Sequence, residues 1–184
     1  MAKIAIYGGT FDPIHKGHLH VISEIISRNL ADRILVIPAG QPQLRDVQTV
    51  ASPSDRRAMC QIALKDLAAE VANKVEVNPI EILRQGPSFT IDTVEAVAKS
   101  YPGDEIALII GTDAFGKIDQ WHRTRELQDM VEFIVIDRPE FPGSPTLDID
   151  ALNISATQVR AGDLESVSPH VATYIKEHHL YASK

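Results

Sequence analysis

Four short apolar runs do most to limit what this chain can fold into: Ile4 to Tyr7, Ile34 to Ile37, Ile106 to Ile110 and Phe133 to Ile136. Each is nearly continuous rather than alternating, the pattern of a strand covered on both faces. Stretches with helical periodicity separate them. Leu19, Ile22, Ile25, Ile26 and Leu30 form an apolar stripe after the first run. Ser52-Pro53-Ser54-Asp55 reads as a helix start, with a Ser cap, Pro in the first turn and an acid three residues on. Met59, Ile62, Ala63 and Leu67 are expected to continue that helix's buried face. Further helices are predicted from about Ile91 to Lys99 and from about Pro169 to His178. The alternation of strand and helix predicts an α/β fold, a doubly wound parallel sheet with helices on both faces. Such sheets bind ligands beyond the carboxyl ends of the strands, at a topological switch point.

The chain has 184 residues, the length of one domain, and nothing in it marks a boundary. Residues 1–184 are therefore read as a single domain, with a C-terminal helical segment over about 155–184. The polar stretches 39–51 and 139–145 are read as loops. A formal net charge of −7 argues against a nucleic-acid partner, which needs clustered Lys and Arg. An anionic ligand would have to be drawn in by local features against that overall field. Cys60 is the one cysteine, so no intrachain disulfide forms, in keeping with a reducing compartment. No secretory h-region and no apolar span of ~18 residues is present. The cytoplasm is the default expectation, with no membrane partner; a homo-oligomer is left open.

Tyr7 is taken as the end of the first strand, and Gly8-Gly9-Thr10-Phe11-Asp12-Pro13-Ile14-His15-Lys16-Gly17-His18 follows. Glycines let a backbone approach a ligand closely. The helix start offers free N–H groups and partial positive charge. His15 and His18, three apart, face the same way at a helix start and suit phosphate oxygens. The same residues also make an ordinary tight turn with two solvated histidines, and a lone histidine pair is weak support for zinc. No metal-ligating set is assigned. Gly111-Thr112-Asp113-Ala114-Phe115-Gly116-Lys117-Ile118 approaches a Walker loop, but Ile118 stands where Ser or Thr must reach magnesium.

Taken together, Gly8 to Pro13 and His15-Lys16-Gly17-His18 resemble the ATP-binding signature of the nucleotidyltransferase superfamily with its HxGH motif. Within it the chain is similar to bacterial nicotinate-nucleotide adenylyltransferases. Gly86-Pro87-Ser88-Phe89-Thr90-Ile91-Asp92-Thr93, Gly111-Thr112-Asp113 followed by Trp121, Arg138-Pro139, and Ile154-Ser155-Ala156-Thr157-Gln158-Val159-Arg160 resemble further motifs of that family, in the same order. The resemblance covers essentially the whole chain and implies a Rossmann-like fold. It implies adenylyl transfer from ATP to nicotinate mononucleotide, giving deamido-NAD and pyrophosphate, with magnesium bound to the ATP phosphates.

The resemblance also implies roles. Gly8, Gly9, Thr10, Phe11 and His18 would contact ATP, with His15 in support. Ser155, Thr157 and Arg160 would hold its β- and γ-phosphates, Gly111 would contact ATP, and Asp113 would bond a ribose hydroxyl. Phe89, Thr90 and Trp121 would receive the pyridine, with Trp121 stacked on the ring. The residues alone also allow Asp113 as a helix cap, Trp121 as core, and the late motif as a capped helix. Three departures from the family pattern stand out. Phe89 replaces Tyr, Ala156 replaces Ser, and Arg45 stands in a loop where many members carry a lysine. Arg45 is read as a phosphate-binding cation for the mononucleotide, with a solvated loop charge as the alternative. A pantetheine-phosphate adenylyltransferase, a nicotinamide mononucleotide adenylyltransferase and a non-catalytic nucleotide-binding module are the competing readings.

Overall fold

The computed structural model describes residues 1–40, 48–138 and 143–181. Five parallel strands form one sheet: β1 (Lys3–Gly9), β2 (Arg33–Pro38), β3 (Val75–Val77), β4 (Glu105–Gly111) and β5 (Glu132–Ile136), in spatial order β3-β2-β1-β4-β5. The helices are α1 (Lys16–Ser27), α2 (Pro53–Ala63), α3 (Ala69–Ala72), α4 (Ile80–Leu83), α5 (Thr90–Ser100), α6 (Thr112–Phe115), α7 (Thr124–Met130), α8 (Ala156–Arg160) and α9 (Pro169–Glu177). The expected doubly wound α/β fold is present.

The apolar runs are continuous because each strand feeds two cores. Ala5, Val36, Ala107, Ile109 and Ile134 face one side and pack with α1, α2 and α9. Ile4, Ile6, Leu35, Ile37, Leu108 and Val135 face the other and pack with α5 and α7. Alternate residues of a strand point to opposite faces, so burial on both sides requires an apolar residue at every position. Ile22 and Ile25 on α1 are fully buried, which fixes the helix that follows the first turn.

Three expectations are corrected. β1 does not end at Tyr7 but pairs onward to Gly9, opposite Pro38. α2 begins at its Ser52 cap, which accepts from Asp55 N at 3.1 Å, but ends at Ala63. A 3₁₀ turn over Leu64–Asp66 carries Leu67 out of the helix. Strand β3 was not anticipated: three residues at the sheet edge, Val-Glu-Val, are too short to show a period. The helices at Thr90–Ser100 and Pro169–Glu177 lie within a residue of their expected bounds. Among the described residues no helix is long and apolar enough to cross a membrane.

Because Ile22 anchors α1 on the sheet, Ile22→Ala should cost about 2–5 kcal/mol of folding stability through the cavity it leaves. Chemical denaturation measures this directly.

Candidate active site

β1 pairs with β2 on one side and with β4 on the other, so the winding reverses there. With Tyr7 opposite Ile109, the carboxyl ends of β1 and β4 open together. A cleft of about 1120 Å³ lies over this seam. It collects residues from widely separated parts of the chain. Gly8, Gly9, Thr10, Phe11, His15 and His18 come from the first turn, and Phe89 and Thr90 from the start of α5. Gly111, Asp113 and Trp121 follow β4, and Ser155, Thr157 and Arg160 lie at α8. Arg45 lies outside the described residues.

The first turn is tightly specified. Phe11 adopts φ 49°, in the left-handed region that side chains avoid, at a cost of about 1–3 kcal/mol. Packing holds it there: its ring is buried edge-on to Tyr7 (5.7 Å between centroids) and His18 (4.9 Å). Gly9 leaves room for the same ring, since a Cβ there would lie 3.0 Å from Phe11 Cζ and press on it.

His15 is the N-cap residue of α1. Its backbone N–H donates to His18 Nδ1 at 3.1 Å, and the two rings stack with centroids 3.7 Å apart. An accepting Nδ1 places the proton of neutral His18 on Nε2, so His18 is set as a donor through that atom. His15 is buried, and its Nδ1 has no hydrogen-bond partner among the described residues. Burial, and then the Arg138 charge, lower its pKa to about 3. It is a neutral group at physiological pH, not a second cation.

Two further residues lie beneath the turn, outside those the motifs assign to the site. Asp12 is buried and accepts from Val50 N (2.8 Å), Ala51 N (3.0 Å) and the Tyr181 hydroxyl (2.7 Å). Arg56 on α2 is fully buried and donates through Nη1 to the Thr10 carbonyl at 2.7 Å. A signal for Arg56 was available: it lies one turn before Met59 and Cys60, on the face of α2 that is otherwise apolar. Cys60 is buried, and burial pushes its thiol well above the usual range, so it is no nucleophile.

At the late helix, Arg160 donates to the Asp12 carbonyl (2.7 Å) and to Thr157 Oγ1 (3.0 Å). Ser155 caps α8: its Oγ accepts from Gln158 N and its N–H donates to Gln158 Oε1. Its hydroxyl thus has a structural use. Asp113 lies inside α6, whose N-cap is Gly111, so Asp113 is not the cap. Its carboxylate stands 3.9 Å from Arg138 Nε. A Cβ on Gly111 would collide with both side chains.

On the opposite wall, α5 starts at Phe89 with no side-chain cap. The Phe89 ring lies against His122, 4.4 Å between centroids. Trp121 is part-buried beside it, and its Nε1 has no partner among the described residues. Behind them Thr93 Oγ1 donates to Glu81 Oε1 at 2.8 Å, and burial raises the Glu81 pKa above its ordinary value. Lys117, His122 and Arg138 also face the cleft and were given no site role from sequence. Lys117 stands in the near-Walker segment and Arg138 in the Arg138-Pro139 motif, while nothing in its spacing sets His122 apart from a surface residue.

A switch-point cleft with a glycine–histidine turn, an uncapped helix start at α5 and several cations is the architecture of a nucleotide-binding α/β protein. Comparison with known proteins narrows this. The Cytidylyltransferase-like family model matches residues 6–162. A relative from Solibacter usitatus, "Probable nicotinate-nucleotide adenylyltransferase", is 39% identical over 97% of this chain and 99% of its own. One of the same name from Bacillus pumilus is 36% identical over all of both chains. The solved structure of Plasmodium falciparum nicotinic acid mononucleotide adenylyltransferase complexed with NaAD shares the fold, with a TM-score of 0.84 over 98% of each chain at 22% identity. The chain belongs to the nicotinate-nucleotide adenylyltransferase family.

The buried His15 ring gives folding a pH dependence. The unfolded ring takes a proton near 6.5, the folded ring only near 3. Between these values the unfolded state binds more protons, so stability declines as pH falls. The melting temperature of His15→Gln should therefore fall less than that of the parent between about pH 7 and about pH 4. Thermal unfolding of both proteins across that range checks it.

Proposed function

We propose that this cleft joins ATP to nicotinate mononucleotide. A phosphate oxygen of the mononucleotide attacks the α-phosphorus of ATP, a new P–O bond forms, and the bond to the β-phosphate oxygen breaks. Pyrophosphate leaves, and deamido-NAD forms. The observation that carries this reading is the convergence of anion-directed groups from both sides of one seam. The β1–α1 turn and Arg160 face it from one side, and the open start of α5 with Trp121 faces it from the other.

In this reading the Gly8 to Phe11 backbone lies along the ATP phosphates, and His18 donates to them through Nε2. Charge grows on those oxygens as the bond to pyrophosphate breaks, and a fixed donor there lowers the barrier. His15 supports His18 without adding charge. Arg160 has five N–H donors, of which two hold Asp12 and Thr157. The rest are directed to the β- and γ-phosphates, with Thr157 beside them. Ser155 contributes through its place at the helix start. Asp113, which only accepts, takes a ribose hydroxyl.

Thr90 opens α5, and the uncapped N–H groups of its first turn suit the nicotinate carboxylate. Such donors favour an acid over a neutral amide, which supports nicotinate over nicotinamide. Trp121 stacks on the pyridine ring with Phe89 at its side. Arg45 is retained as a cation for the mononucleotide phosphate. ATP arrives with magnesium held mainly by its own phosphates. Among the described residues no group of three or more His, Cys, Asp or Glu is placed to hold a metal.

Pyrophosphate release, measured with ATP and either mononucleotide, tests the reading. Turnover should be faster with the nicotinate form, and His18→Ala should lose about 10²–10³-fold in kcat while staying folded. No release with either mononucleotide, or near-normal turnover in the variant, would overturn it.

A further inference from the structure

The far end of the chain returns to the first turn. After α9, His178 caps the helix and His179 enters the left-handed region at φ 52°, while Leu180 N–H donates back to the Ile175 carbonyl at 3.0 Å. This is a Schellman-type closure. It reverses the chain and drops Leu180 and Tyr181 onto the core below the β1–α1 turn. There the Tyr181 hydroxyl donates to Asp12 Oδ1 at 2.7 Å, a contact between residues 169 apart in sequence.

Asp12 is a junction. Oδ1 also accepts from Ala51 N, Oδ2 accepts from Val50 N, and the backbone carbonyl accepts from Arg160 Nη1. Both carboxylate oxygens are therefore used in holding the protein together. Asp12 directly follows the strained Phe11 and precedes His15 by three residues. Its orientation fixes those of the turn and of Arg160 together. Burial, and then the Asp12 carboxylate, hold the Tyr181 hydroxyl protonated, so it remains a donor.

We propose that Tyr181 is a positioning residue for the ATP phosphates, acting through Asp12 on the first turn and Arg160. The inference rests on the adenylyl-transfer reading above. It predicts a one-sided effect, because none of these contacts reaches Phe89, Thr90 or Trp121. Tyr181 sets ATP binding and leaves the mononucleotide wall alone.

Tyr181→Phe keeps the ring and removes the hydroxyl. The KM for ATP should rise about five- to tenfold, the KM for nicotinate mononucleotide should stay within about twofold, and Tm should fall little. Asp12→Asn should shift the ATP KM in the same direction. Tyr174→Phe is the control: its hydroxyl joins the same tail to Asp55 at 2.9 Å, outside this junction, and its loss should leave the ATP KM unchanged. Calorimetric titration of each protein with ATP gives the same comparison without turnover, so an inactive parent would defeat the adenylyl-transfer reading and still leave this one measurable. An unchanged ATP affinity in Tyr181→Phe would overturn the inference. So would equal losses for both substrates, or an equal loss in Tyr174→Phe.

Discussion

Parallel pairing with both faces buried is the constraint from which the rest of this structure follows. Once α1, α2 and α9 cover one face and α5 and α7 the other, the side chains of the central strands are largely buried. Chemistry is confined to the carboxyl ends of the strands. The reversal at β1 and β4 makes one of those ends into a cleft, because successive connections leave the seam in opposite directions. The turn after β1 and the helices after β4 are therefore brought together by topology rather than by sequence proximity.

An acidic chain that binds anions has to solve a local problem. Here the answer is oriented dipoles and a few placed cations rather than net charge. Helix starts at α1 and α5 face the cleft, with Lys117, Arg138 and Arg160 around them. The histidine pair divides its work. His18 is held as a donor by its bond from the His15 backbone, while the His15 ring is kept neutral by burial. The strain at Phe11 is held by its aromatic neighbours, and the turn above them is held from below by Asp12 and Arg56.

Much of this was legible in the sequence because it rests on local rules. The four long strands appeared as apolar runs, and the cap at Ser52 appeared as a local motif. The residues drawn from the family resemblance, Arg45 aside, line one cleft. What the sequence hid depends on long-range contact. Strand β3 exists through its pairing with β2, not through any pattern of its own. Asp12 looked like one more letter of a motif, but its partners lie at residues 50, 51 and 181. The resemblance implies Ser155 as a phosphate ligand, and its hydroxyl also forms a capping box with Gln158, three residues on. That alternative was visible in the sequence, but only geometry could weigh it.

In the proposed reaction the cleft positions two nucleotides for direct transfer, with no protein group bonded to the adenylyl unit on the way. Cys60 is buried and held as a thiol, so it is not offered as a nucleophile. The stereochemistry at phosphorus tests this most directly. With ATP bearing sulfur in place of one α-phosphate oxygen, as a single diastereomer, direct in-line attack inverts the configuration at the α-phosphorus of the dinucleotide. Inversion is the expected outcome. Retention would mean two successive displacements through an adenylylated protein, and would contradict it.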